Sequence, residues 1–224
     1  MYDFNDAQPQ MAPLGELIPD GTFCKLQMKI RPGGVDGDGA ADRGLLKSSN
    51  TSDVKYLDCE FTVVEGPYAR RKFWQNYTVS GGKLDDKNQS MGWNISKSVF
   101  RAMIDSALGL AASDMSAEAK SKRTLAGLSQ LNTIIFAGRV MIEPAQNAQY
   151  SDSNRLANVV LVGDPQYEAV MRGEAVEPEP VNARAKKDKG AAAGAAPAPA
   201  WGGTTQAAPP PASAPVGGPA WLNG

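Results

Sequence analysis

Between Phe23 and Arg31 every second residue is apolar. Cys24, Leu26, Met28 and Ile30 alternate with Lys25, Gln27, Lys29 and Arg31. Side chains of a β-strand point alternately to its two faces, whereas a helix repeats every three to four residues. This stretch is therefore a strand with one apolar face and one basic face, and it needs a partner sheet or layer to cover the apolar side. The pattern returns over Val54–Val64, with Leu57, Cys59, Phe61 and Val63 on one face and Tyr56, Asp58, Glu60 and Thr62 on the other.

Glu65-Gly66-Pro67-Tyr68 turns the chain into a third strand, Arg70–Val79. The segment Tyr68–Val79, YARRKFWQNYTV, carries three basic residues (Arg70, Arg71, Lys72) and three large aromatics (Phe73, Trp74, Tyr77). Hairpin register is not set by sequence, so either Phe73 and Tyr77 or Trp74 faces the core. A basic, aromatic sheet face suits a single nucleic-acid strand: charge for phosphates, flat rings for bases.

The loop from Pro32 to Asn50 is rich in Gly and Asp. Asp36, Asp38 and Asp42 lack the third loop acid and closing glutamate of a calcium-binding helical hand. Past a polar loop at 80–90, Asn94 or Ser96 reads as the cap of a helix carrying Val99, Met103, Ile104, Ala107 and Leu108 at helical spacing. A second short helix is expected over Met115–Lys122, capped by Ser113 or Asp114. Thr133–Ile142 and Arg155–Val162 are the fourth and fifth strands, and Gly138 marks a bend or bulge in the former. Gln166–Arg172 reads as a last short helix.

After residue 172 the composition changes to Pro-punctuated charge and then to Ala, Pro and Gly. Such a stretch buries too little apolar surface to offset its chain entropy. The expected organisation is an N-terminal arm at 1–17, one domain at 18–172, a disordered linker at 173–216 and a short tip at 217–224. The tip, PAWLNG, carries Trp221 and Leu222, an apolar pair with no core to join and hence a candidate partner-binding element.

The chain has 224 residues, a formal net charge of −1 and no histidine. Bulk charge does not point to nucleic acid, so any such surface comes from local clustering. The missing histidine removes Ser-His-Asp and Cys-His catalysis and His-ligated zinc. Cys24 and Cys59 are too few for a thiolate metal site, sit in apolar strand patterns, and form a disulfide only if their strands pair. An acid-only metal site from Asp36, Asp38, Asp58 and Glu60 lacks a supporting third acid motif, so no enzyme activity and no cofactor are expected. The polar N-terminus and the lack of long apolar runs give the expectation of a cytoplasmic protein outside the membrane.

The element order β-β-β-α-β-β is that of the oligonucleotide/oligosaccharide-binding (OB) barrel. The expected fold is thus mainly β: a five-stranded OB-like Greek-key barrel with its helix between strands 3 and 4. With its long Gly/Pro/Ala tail and short tip, the chain resembles bacterial and phage single-stranded DNA-binding proteins. The stretch from GPYARRKFWQNYTV to the fourth strand also resembles small phage-encoded proteins of replication and recombination gene clusters. PAWLNG departs from the acidic tip of the bacterial proteins, keeping proline and a large aromatic but no acid.

The resemblance implies sequence-independent single-stranded DNA binding in phage or prophage replication or recombination. It also implies recruitment of replication or recombination proteins by Trp221 and Leu222, and homo-oligomers. Lys25, Lys29, Arg31, Arg70, Arg71 and Lys72 are the candidates for phosphates; Tyr56, Trp74, Tyr77 and Trp93 are the candidates for base stacking. The competing class is a structural or assembly protein of a phage particle, which needs no affinity for nucleic acid.

Overall fold

A computed structural model describes residues 17–181 except residue 148. The arm up to residue 16, the expected linker from residue 182 onward and the tip with Trp221 and Leu222 lie outside the described residues. The order is β1 (Thr22–Arg31), β2 (Lys47–Ser48), β3 (Lys55–Val63), β4 (Lys72–Ser80), α1 (Met91–Leu108), α2 (Ala117–Lys122), β5 (Ile135–Glu143), β6 (Ser153–Val159) and α3 (Tyr167–Met171). The structure is mainly β, with one antiparallel six-stranded sheet. β1 is central, with β3 on one side and β5 on the other, and the sheet continues to β4 beyond β3 and to β6 beyond β5.

The sixth strand, β2, was not expected. It has two residues, which pair with Lys55 and Tyr56 of β3 beyond the point where β1 stops at Asp58. The alternation in β1 and β3 is realised as read: Leu26, Met28, Leu57, Cys59, Phe61 and Val63 are buried. In β4 the register puts Phe73 and Tyr77 inward and leaves Trp74 outward. Phe61 gathers the core, stacking on Phe73 at 5.0 Å and meeting Phe136 edge-on at 6.2 Å. Cys24 and Cys59 are free buried thiols, not a disulfide, and burial pushes each pKa up to about 12.

α1 begins earlier than expected. Its cap is Ser90, not Asn94 or Ser96; the Ser90 Oγ accepts the Trp93 N–H at 3.2 Å and donates to the Gly81 carbonyl at 2.7 Å. Gly92 in the first turn obscures this start in the sequence. It is needed there because a Cβ would lie 2.8 Å from the Thr78 methyl. α2 is likewise capped by Ser116, not by Ser113 or Asp114. Asp105, buried on α1, accepts from Arg123 Nε at 2.6 Å and ties the two helices together.

α1 packs against β4, β5 and β6. Between β4 and β6, the end strands of the sheet, the Leu156 N–H donates to Gln75 Oε1 at 3.1 Å. Residues 173–181, read as the start of the linker, lie along the fold. The Glu179 N–H donates to the Gly21 carbonyl at 3.1 Å and the Val181 N–H to Asp20 Oδ2 at 3.0 Å. This crossing requires glycine: a Cβ on Gly21 (φ 78°) would lie 1.9 Å from the Glu179 oxygen. No helix among the described residues is long and apolar enough to cross a membrane.

Candidate nucleic-acid interface

The registers of β1, β3 and β4 align their outward residues into rows. Gln27, Thr62 and Lys72 form one row, Lys29, Glu60 and Trp74 the next, and Arg31, Asp58 and Asn76 the third. Trp74 lies in the middle row with its side chain about half in solvent, at 48 % exposure. Its Nε1–H donates to Glu60 Oε2 at 3.3 Å, which fixes the indole on the sheet. Lys72 Nζ donates to the other oxygen of the same carboxylate at 2.6 Å. The hydrogen bond from Lys72 holds the Glu60 pKa below its ordinary value, against the opposing effect of burial.

The third row is organised by Asp58. The alternation of β3 puts this residue on the polar, outward side, where it does lie, but its side chain is only 6 % exposed because Arg31 and Lys47 cover it. Arg31 Nε donates to Asp58 Oδ2 at 3.1 Å, and Lys47 Nζ donates to the same oxygen. Burial alone would raise the Asp58 pKa; the hydrogen bonds from Arg31 and Lys47 outweigh it and hold the group below its usual range. The two-residue β2 exists where Lys47 reaches this carboxylate.

The remaining candidates divide. Lys25 pairs with Glu65 at 3.0 Å. Lys29 is exposed. Arg70 and Arg71 lie before β4, not in it, in the turn from β3; Arg70 is exposed with φ 69°, and the Arg71 guanidinium stands 5.6 Å from the Tyr68 ring centroid. Tyr56 is half-buried, opposite Lys47 and Thr78. Trp93 is half-buried on α1, 6.4 Å from Phe100, and is separate from the sheet rows. Tyr77 as a base-stacking residue is incorrect: it is 4 % exposed and packed 5.1 Å from Phe100, and burial raises its pKa.

Sequence reasoning missed Lys47 and the part played by Asp58 and Glu60. The alternation put both acids on one face of β3, but only the pairing of β3 with β1 and β4 brings them under the cations. Lys25, Lys29, Arg31, Lys47, Arg70, Arg71 and Lys72 stand against Asp58, Glu60 and Glu65, so the face retains an excess of positive charge. The loop acids have structural partners: Asp36 Oδ1 accepts the Gly44 N–H, and Asp42 Oδ1 the Ser129 N–H. Among the described residues no group of three or more Asp, Glu or Cys is placed to hold a metal ion. Family models, curated proteins and solved structures give no match to the chain.

Proposed function

We propose that this protein binds single-stranded DNA without sequence preference, through the outward face of β1, β3 and β4. The observation that carries this reading is Trp74: a half-exposed indole, held in place by Glu60, in a row with Lys29 and next to Lys72. An exposed ring fixed on a sheet offers a base a stacking partner whose orientation is already set, and such stacking contributes roughly 1–3 kcal/mol per base. Lys29, Arg70 and the excess charge around them serve the phosphates. Support for an OB-like barrel comes from the strand neighbours β4-β3-β1-β5-β6, the helix between β4 and β5, and the Gln75–Leu156 link. The setting is phage or prophage replication or recombination, with Trp221 and Leu222 recruiting partner proteins.

Intrinsic tryptophan fluorescence, titrated with oligo-dT, oligo-rU and a duplex at two salt concentrations, tests the reading. The expected result is quenching by dT that weakens with salt, with little response to duplex. Trp74→Ala should weaken dT binding about tenfold or more without loss of fold. No response to any of the three probes at low salt would overturn the reading and put particle assembly in its place.

A further inference from the structure

Trp93 lies off the sheet face without being sealed in the core. It forms one wall of a cleft of about 520 Å³, within the size range of small-ligand sites. The cleft opens between the start of α1, the loop leading into it from β4, and the Gly/Asp-rich loop after β1. Val79 and Leu128 contribute apolar surface, Asn88 and Gln89 side-chain amides, and Lys97, Asp38 and the buried Asp42 the charges; the Asp42 carboxylate is taken up by the Ser129 N–H. Lys97 Nζ stands 5.9 Å from the centroid of the Trp93 ring.

The β4–α1 loop is held by its own bonds. Asp85 Oδ1 accepts the Lys87 and Gln89 N–H groups at 2.9 and 2.8 Å, Asp85 Oδ2 accepts from Asn94 Nδ2 at 3.1 Å, and the Gly82 N–H donates to Asp53 Oδ1 at 3.0 Å. The loop backbone is therefore preformed, which lowers the ordering cost of binding. The side-chain amides of Asn88 and Gln89 are exposed and make no hydrogen bond among the described residues.

Resting on the single-strand reading of the sheet face, we propose that this cleft is a second base-binding subsite that takes a nucleobase of the same strand against the Trp93 indole. β4 connects the two platforms. Trp74 lies near its start, Ser80 lines the cleft at its end, and six strand residues span about 20 Å. The incoming base takes the position of Lys97 Nζ over the ring, and the released ammonium pairs with the flanking phosphate. Asn88 and Gln89 both donate and accept, so they accommodate any base edge. Asp38, exposed at the rim, repels phosphate and keeps the backbone on the Lys97 side.

The test is fluorescence anisotropy of labelled dT tetramer and dT dodecamer with the full chain. Wild type should bind the dodecamer much more tightly than the tetramer. Lys97→Glu should lower dodecamer affinity about tenfold and leave the tetramer unchanged, with Lys120→Glu on α2 as the charge control. Trp93→Leu should do the same; if that variant fails to fold, the exposed Lys97 decides. An unchanged dodecamer affinity in Lys97→Glu, or an equal loss in Lys120→Glu, overturns the cleft and leaves the sheet-face reading standing. Competition by dTMP at concentrations comparable with the dodecamer means a free-nucleotide site and also overturns the proposal. Failure of wild type to bind either oligonucleotide overturns the sheet-face reading, and the cleft with it.

Discussion

Glu60 grips two groups at once, the Trp74 indole and the Lys72 ammonium. The first contact positions a ring; the second, under the proposed single-strand function, occupies a cation that a phosphate would otherwise meet. Glu60→Gln keeps an acceptor for the indole and removes the competing charge. It should raise affinity for oligo-dT and steepen the salt dependence by about 0.7 in log–log slope, the contribution of one additional phosphate contact on a single strand; parallel titrations of wild type and variant measure this. Asp58 works differently, because it is covered and joins β1, β2 and β3 through Arg31 and Lys47. Its folded pKa lies below the unfolded value of roughly 3.9, so its stabilisation is complete above that pH and disappears as pH falls through the folded value. Asp58→Asn should therefore melt below wild type at neutral pH, by roughly 1.5–3 kcal/mol for hydrogen bonds to a charged group. The gap should close as pH drops below about 4.

In β5, Gly138 faces inward, where a Cβ would lie 2.7 Å from Leu26 Cδ1 and 2.8 Å from Leu156 Cδ1. Leu26 is fully buried and has nowhere to retreat. Gly138→Val should overpack the core and cost about 1–3 kcal/mol, read from denaturant melts. The sequence marked this glycine as irregular, and the register between β5 and β6 does shift next to it, at Arg139/Val140. β1, β3 and β4 were legible because alternation is a local signal that tertiary packing here reinforces. β2 was illegible: two residues in a Gly- and Asp-rich loop become a strand only through the partner they find across the sheet. The site divides in the same way. Its cations could be read from the chain, but their pairing with Asp58 and Glu60 depends on strand register. Register also decided between the rings, sending Tyr77 to the core and Trp74 to the surface.

For the molecule as a whole, Asp20 is a junction. Its Oδ1 accepts the Ile142 N–H at the end of β5 at 2.9 Å, and its Oδ2 the Val181 N–H at 3.0 Å. Asp20→Ala leaves both donors without their acceptor and should destabilise the fold by roughly 1–3 kcal/mol, measured as a shift of the thermal or denaturant midpoint. The opposite side of the sheet is less firmly joined. β4 is laddered to β3 along one edge, and its described hydrogen bond to β6 runs from the Leu156 N–H to the Gln75 side chain. Backbone groups of an antiparallel strand point alternately to either side, so part of β4 offers unladdered donors and acceptors toward β6. Such a row is a template on which a foreign extended chain can add itself as a further strand. α1 lies against β4 and β6 alike. The helix that supplies Trp93 thus also bridges the two strands that border this seam.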